Sequence, residues 1–179
     1  MCVVSLVVLF GLFVALFAII GAMRGWAKEL LVTSALILGL FINAILEAYV
    51  DPYRAALFQQ AASSQFIIRG GLLMILAFFG YQTPQIRALQ PKMVRERLEE
   101  ILLGLVLGFL NGYLFVGSVW YYLHEAGYPT DWVIQPEVGS ELAQQIANVV
   151  KFLPPNLMPV PYVYFAVGVV FVFIIVVFV

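Results

Sequence analysis

The sequence predicts an all-α polytopic membrane protein: a helix bundle of about five transmembrane helices with an outer amphipathic helix. Three observations predict it. Of 179 residues, 64% are hydrophobic and 11% charged, against roughly 25% charged in a soluble domain, and the mean hydropathy is +1.03. Apolar runs approaching the roughly 20 residues that a spanning helix needs recur along the chain. Positive charge collects in two of the loops between those runs.

The first run covers residues 3–22. A cleaved signal peptide carries its positive charge ahead of the apolar run; here Arg24 and Lys28 follow it, so a retained helix is expected. The second run spans 30–50, and the third, 66–81, is short and carries Arg69 near its start. The fourth spans 101–123 and the fifth 163–179. Three segments follow: a four-helix membrane core over 1–123, an outer loop with an amphipathic helix over 124–158, and an additional C-terminal transmembrane helix over 159–179.

Lys and Arg in short loops set orientation. Arg24 and Lys28 follow the first helix, and Arg87, Lys92, Arg95 and Arg97 follow the third, whereas the loops on the other side hold Arg54 and Lys151. Both basic loops are therefore expected on the cytoplasmic side and the N-terminus outside.

The segment 51–65 is polar enough for a loop, with an Ala-rich middle suited to a short interfacial helix. In the outer loop, Leu142, Ile146, Val149, Val150 and Leu153 recur at helical spacing. Ser140 suits the N-cap, and Pro154-Pro155 is expected to end the helix. Such a helix lies on the membrane surface or on the tops of the others, as a cover or as a docking surface. The inner loop, 82–100, is mixed in sign, and a solvated helix entry is the simpler reading than a lipid site.

The stretch "GLVLGFLNG" places Gly104, Gly108 and Gly112 on one helix face with Asn111 beside the last. Glycine is a poor helix former, so close approach by another backbone is the expected reason for the row. Small residues let helices meet where lipid removes the hydrophobic drive to associate. Shorter rows occur at Ala35-Gly39-Asn43, Gly11-Ala15 and Gly21-Gly25. Packing of these faces within one bundle is the simplest assignment; a contact with a second copy or another subunit is the alternative. Asn43 and Asn111 need partners, because an unsatisfied amide in hydrocarbon costs several kcal/mol. Interhelical staples explain both more simply than ligand contacts. Arg69, one turn into its helix, is expected to snorkel outward, with a functional role as the alternative.

Catalytic chemistry lacks residues. Ser118 and His124 stand about 9 Å apart along a helix axis. The lone thiol is Cys2, and Glu96, Glu99 and Glu100 sit beside Arg95 and Arg97 as helix-entry charge. No phosphate loop, dinucleotide fingerprint or metal spacing is present, and no enzyme is expected. Transport would want converging polar groups inside the spans. Asn43 and Asn111 alone are placed there, with no acid beside them, which argues against proton coupling. His124, flanked by Trp120, Tyr121 and Tyr122, could ligate a haem or chlorophyll. Aromatics at a membrane boundary are ordinarily an interfacial belt, so no cofactor is expected, with bound lipid or pigment as the alternative. A net charge of −1 without a basic stripe points away from nucleic acid.

Arg24-Gly25 followed by Lys28-Glu29, within "MRGWAKELLVTSALILGLFINAIL", resembles the colicin V production protein family of bacterial inner-membrane proteins. A second stretch, Glu100 through Gly104, Gly108 and Asn111-Gly112, is similar to that family's later charged and glycine-rich motif. Trp132, Ser140 and 141–155 look like its outer segment. Two arginine positions of that later motif are Ile101 and Asn111 here, so any role of those arginines is not carried over. The family generally has four spans, which makes the fifth helix an addition requiring a packing partner. The resemblance implies the inner membrane and a helical fold, with no reaction. Together the residues and the resemblance suggest a non-catalytic scaffold or accessory subunit of a larger membrane complex, packing through small-residue faces. Its partners would be lipids, other integral membrane subunits or a second copy. Export or transport of a small solute or peptide is the alternative.

Overall fold

A computed structural model of the chain describes residues 6–82, 94–129, 133 and 139–178. Cys2, Arg87, Lys92 and Trp132 lie outside the described residues, as do the side chains of Arg95 and Glu96. The fold is all-α. In chain order the helices are α1 (Leu6–Arg24), α2 (Trp26–Tyr49), α3 (Asp51–Phe58), α4 (Ala62–Tyr81), α5 (Val94–Glu125), α6 (Glu141–Val150), α7 (Pro154–Leu157) and α8 (Tyr162–Phe178).

Four of these, α1, α2, α4 and α5, are long and apolar enough to cross a membrane. The segment expected to form a fifth span is a shorter apolar helix, α8, of 17 residues, so among the described residues four spans, not five, meet the length and hydropathy of a crossing helix. Three helices start earlier than their apolar runs suggest. α2 begins at Trp26, α4 at Ala62, and α5 extends back to Val94, because polar residues at a helix end leave the hydropathy signal before they leave the helix.

Gly25 alone separates α1 from α2. Its φ of +89° belongs to a region that side chains rarely adopt, and this ends α1 where the apolar run meets Arg24. A Cβ there would also meet the Glu100 side chain, whose Cδ would lie 3.1 Å away. The segment 51–65 contains the expected short helix as α3, opened by Asp51-Pro52, where proline's fixed φ suits a first turn.

α6 fulfils its amphipathic pattern. Ser140 Oγ accepts from the Ala143 N–H at 3.1 Å, and Ile146 and Val150 are buried against Trp120, Tyr128 and Leu153. The helix thus covers the end of α5. It stops at Val150, however, and Pro154 opens α7 in place of ending α6; a proline needs no N–H donor in a first turn.

α2 is the central helix, packed on α4, α5 and α8, whereas α1 packs chiefly on α5. Val32, Leu36 and Leu40 of α2 form the core with Leu73 and Ala77 of α4 and Leu114 and Tyr122 of α5. The outside is apolar: Leu12, Ile67, Phe79, Val106, Phe165 and Val176 are exposed. Buried among the helices are Glu29, Thr33, Asn43, Arg69, Asn111 and Ser118. An apolar outside with most polar groups paired inside suits a hydrocarbon surround.

Candidate functional site

The glycine row lies on α1. A Cβ on Gly108 would stand 2.9 Å from Gly21 Cα, and one on Gly112 would stand 2.7 Å from Phe17 Cβ and 3.0 Å from Val14 Cα. Gly104 faces the Gly21 and Gly25 carbonyl carbons, which its Cβ would meet at 3.1 and 3.3 Å. Since real Cβ atoms do not come within 3 Å of another backbone, no side chain fits along most of this seam. Gly39 instead meets Leu73 of α4, and Gly80, not singled out from sequence, meets Ala35 and Val32 of α2. Gly11 faces open space.

Beside the glycine seam, the first polar cluster draws one or more side chains from each of the four long helices. Asn111 Nδ2 donates to the Glu29 carboxylate at 2.7 Å and to its backbone carbonyl at 2.9 Å. Thr33 Oγ1 donates to Asn111 Oδ1 at 2.7 Å and stands 3.0 Å from the Glu29 carbonyl. The other Glu29 oxygen takes the Arg24 guanidinium at 2.6 Å. Arg24 donates in turn to the Tyr81 carbonyl at 3.1 Å and sits 4.3 Å above the Tyr81 ring. Glu29 is fully buried, so an acid does stand beside Asn111, contrary to the expectation from sequence. Its position next to Arg24 and Lys28 reads as loop charge, but Gly25 turns the chain so sharply that Glu29 already lies inside α2.

A second cluster lies toward the opposite end of α2. Asn43 Nδ2 approaches the Arg69 carbonyl at 3.2 Å and the Tyr122 hydroxyl at 3.3 Å. Arg69 does not snorkel. Its side chain is 5% exposed and forks onto Glu47, Nε at 2.8 Å and Nη2 at 3.1 Å. Glu125 stands 3.7 Å from its Nη1. Two carboxylates on α2 and α5 hold the guanidinium inside more favourably than an outward reach to headgroups. Around these groups is a cavity of about 150 Å³, which Pro155 and Met158 also line.

Glu29, Thr33, Leu36, Leu40, Asn43 and Glu47 recur on α2 at alternating spacings of four and three. One face of α2 is therefore polar at both ends and leucine-lined between them. That pattern was the available signal for Glu29, Thr33 and Glu47. Tyr81, Tyr122 and Glu125 had none, since each owes its role to tertiary convergence.

His124 is half-buried, its Nδ1 3.0 Å from the Tyr128 hydroxyl. Trp120 packs against Phe10 at 5.5 Å and also reaches the Tyr128 hydroxyl. Tyr122 lies with Asn43, and Tyr121 donates to Glu125 at 3.1 Å. These rings pack in the interface of α5 with its neighbours. Burial pushes the Tyr128 phenol above its ordinary pKa.

Comparison with protein-family models, curated proteins and solved structures finds no match to this chain.

Proposed function

We propose that this protein is a non-catalytic integral membrane scaffold or accessory subunit of a larger membrane complex. The observation that carries the reading is the closure of the polar interior around Glu29. Arg24 of α1 and Asn111 of α5 answer its two carboxylate oxygens, Thr33 donates to the Asn111 amide oxygen, and the glycine seam locks α1 to α5 alongside. Such an interior favours one fixed helix arrangement over the two that alternating access requires. Arg69 and Glu47 tie α4 to α2 at the other end.

The small-residue row serves the chain's own packing, which leaves the outer faces for partners. α8 rests mainly on α2 and leaves Phe165, Val169, Phe171 and Val172 exposed, a surface for lipid or for another subunit's helix. The proposal includes the bacterial inner membrane, an external N-terminus and kinship with the colicin V production protein family. Native mass measurement of the gently extracted chain tests it. An assembly heavier than the 20.0 kDa chain with its bound lipid is expected; a lone chain at every extraction condition would remove the proposal.

The cavity at Arg69 favours a second reading, transport of a small solute. Uptake into liposomes by the pure protein, lost on Arg69→Leu, would replace the first reading with this one.

A further inference from the structure

Among the described residues, the group left unmatched in the first polar cluster is a phenol, Tyr81 Oη; at the cavity beside Arg69 it is an acceptor together with an excess of negative charge. Arg69 supplies one positive charge, while Glu47 and Glu125 supply two negative ones. Glu125 stands beyond hydrogen-bond distance of the guanidinium, at 3.7 Å. Asn43 is 2% exposed, and its Oδ1 has no hydrogen-bond partner among the described residues. A buried amide oxygen left so costs about 1–3 kcal/mol, and Asn43 lines this same cavity. Unused acceptor capacity and one excess negative charge therefore line one half-open cavity. At about 150 Å³ it far exceeds the roughly 10–15 Å³ that one water requires.

We infer that this cavity binds a small primary ammonium cation, held by Asn43 Oδ1 and the Glu47 and Glu125 carboxylates. A primary ammonium carries three N–H donors and no acceptor, which is what the site lacks. Its charge balances the excess carboxylate, and its small alkyl group suits the apolar wall of Leu40 and Met158. A divalent metal ion suits the site less well, because the Arg69 guanidinium on the same Glu47 carboxylate repels a doubly charged ion about twice as strongly as a singly charged one. The inference is independent of whether the protein is a scaffold.

Titration calorimetry on the full chain in phosphatidylcholine nanodiscs tests it, with methylammonium, tetramethylammonium and sodium chlorides at matched ionic strength. A single saturable methylammonium site is expected. Tetramethylammonium has no N–H to donate and should give no such site. Glu125 is on the rim, 45% exposed in its side chain, so Glu125→Gln should fold while weakening methylammonium binding by about tenfold or more. Absence of saturable binding overturns the inference. So does equal binding of tetramethylammonium or sodium, or an unchanged affinity in Glu125→Gln.

Discussion

The Asn111 side-chain amide donates to the buried Glu29 carboxylate at 2.7 Å, joining residues 82 positions apart. Asn111 thereby satisfies an acid that would otherwise have a single ionic partner, Arg24. In hydrocarbon an individual interhelical hydrogen bond contributes only about 0.6 kcal/mol on average. Leaving a buried charge short of partners costs more, about 3–5 kcal/mol. The second magnitude governs here, because Glu29 has no route to solvent.

Asn111→Leu should therefore destabilise the bundle by about 3 kcal/mol or more, read as a fall in the denaturant midpoint. Glu29→Gln in the Asn111→Leu background should recover part of that loss, since the stranded charge is gone. Failure of the second change to recover any stability would show that the charge is not what Asn111 serves.

Gly108→Leu should prevent accumulation of folded protein, because α1 and α5 would have to part. Gly11→Ala is the control from the same seam's sequence pattern. It faces open space and should be neutral or stabilising by up to about 1 kcal/mol. Equal effects of the two changes on folded yield would contradict the seam.

Gly25→Ala combines a disfavoured backbone region with contact against Glu100. A loss of about 1–3 kcal/mol is expected. Gly25→Ala with Glu100→Ala should restore the contact part and retain the backbone part, as measured by thermal unfolding.

Arg69→Leu leaves Glu47 without its fork and should lower stability by about 3 kcal/mol. Exchanging the pair, Arg69→Glu with Glu47→Arg, should recover part of the loss in melting temperature. A snorkelling arginine would instead tolerate Arg69→Leu.

Much of the fold could be read from sequence because its signals are periodic. Gly104, Gly108 and Gly112 mark a close approach wherever its partner lies, and Ser140 with Ile146 and Val150 marks both the start and the inner face of α6. The partners themselves were not readable. Nothing local to Gly108 names Gly21, and Arg69 lies 22 residues from Glu47. Glu29 misled for a different reason. Neighbouring basic residues give a loop its composition, yet a single glycine suffices to turn the chain, so the acid enters the bundle within four residues. Arg69 misled because its distance from the helix start was taken from hydropathy, while α4 begins at Ala62.

A double-mutant cycle between Glu29→Ala and Asn111→Ala, followed by equilibrium unfolding in lipid bicelles, bears most directly on the closed interior. Residues bonded within one network couple by about 0.5–3 kcal/mol, whereas independent sites add to within a few tenths. The bond described above predicts a coupling of about 1 kcal/mol or more. Strict additivity would mean that these helices are held together by something other than the network around Glu29.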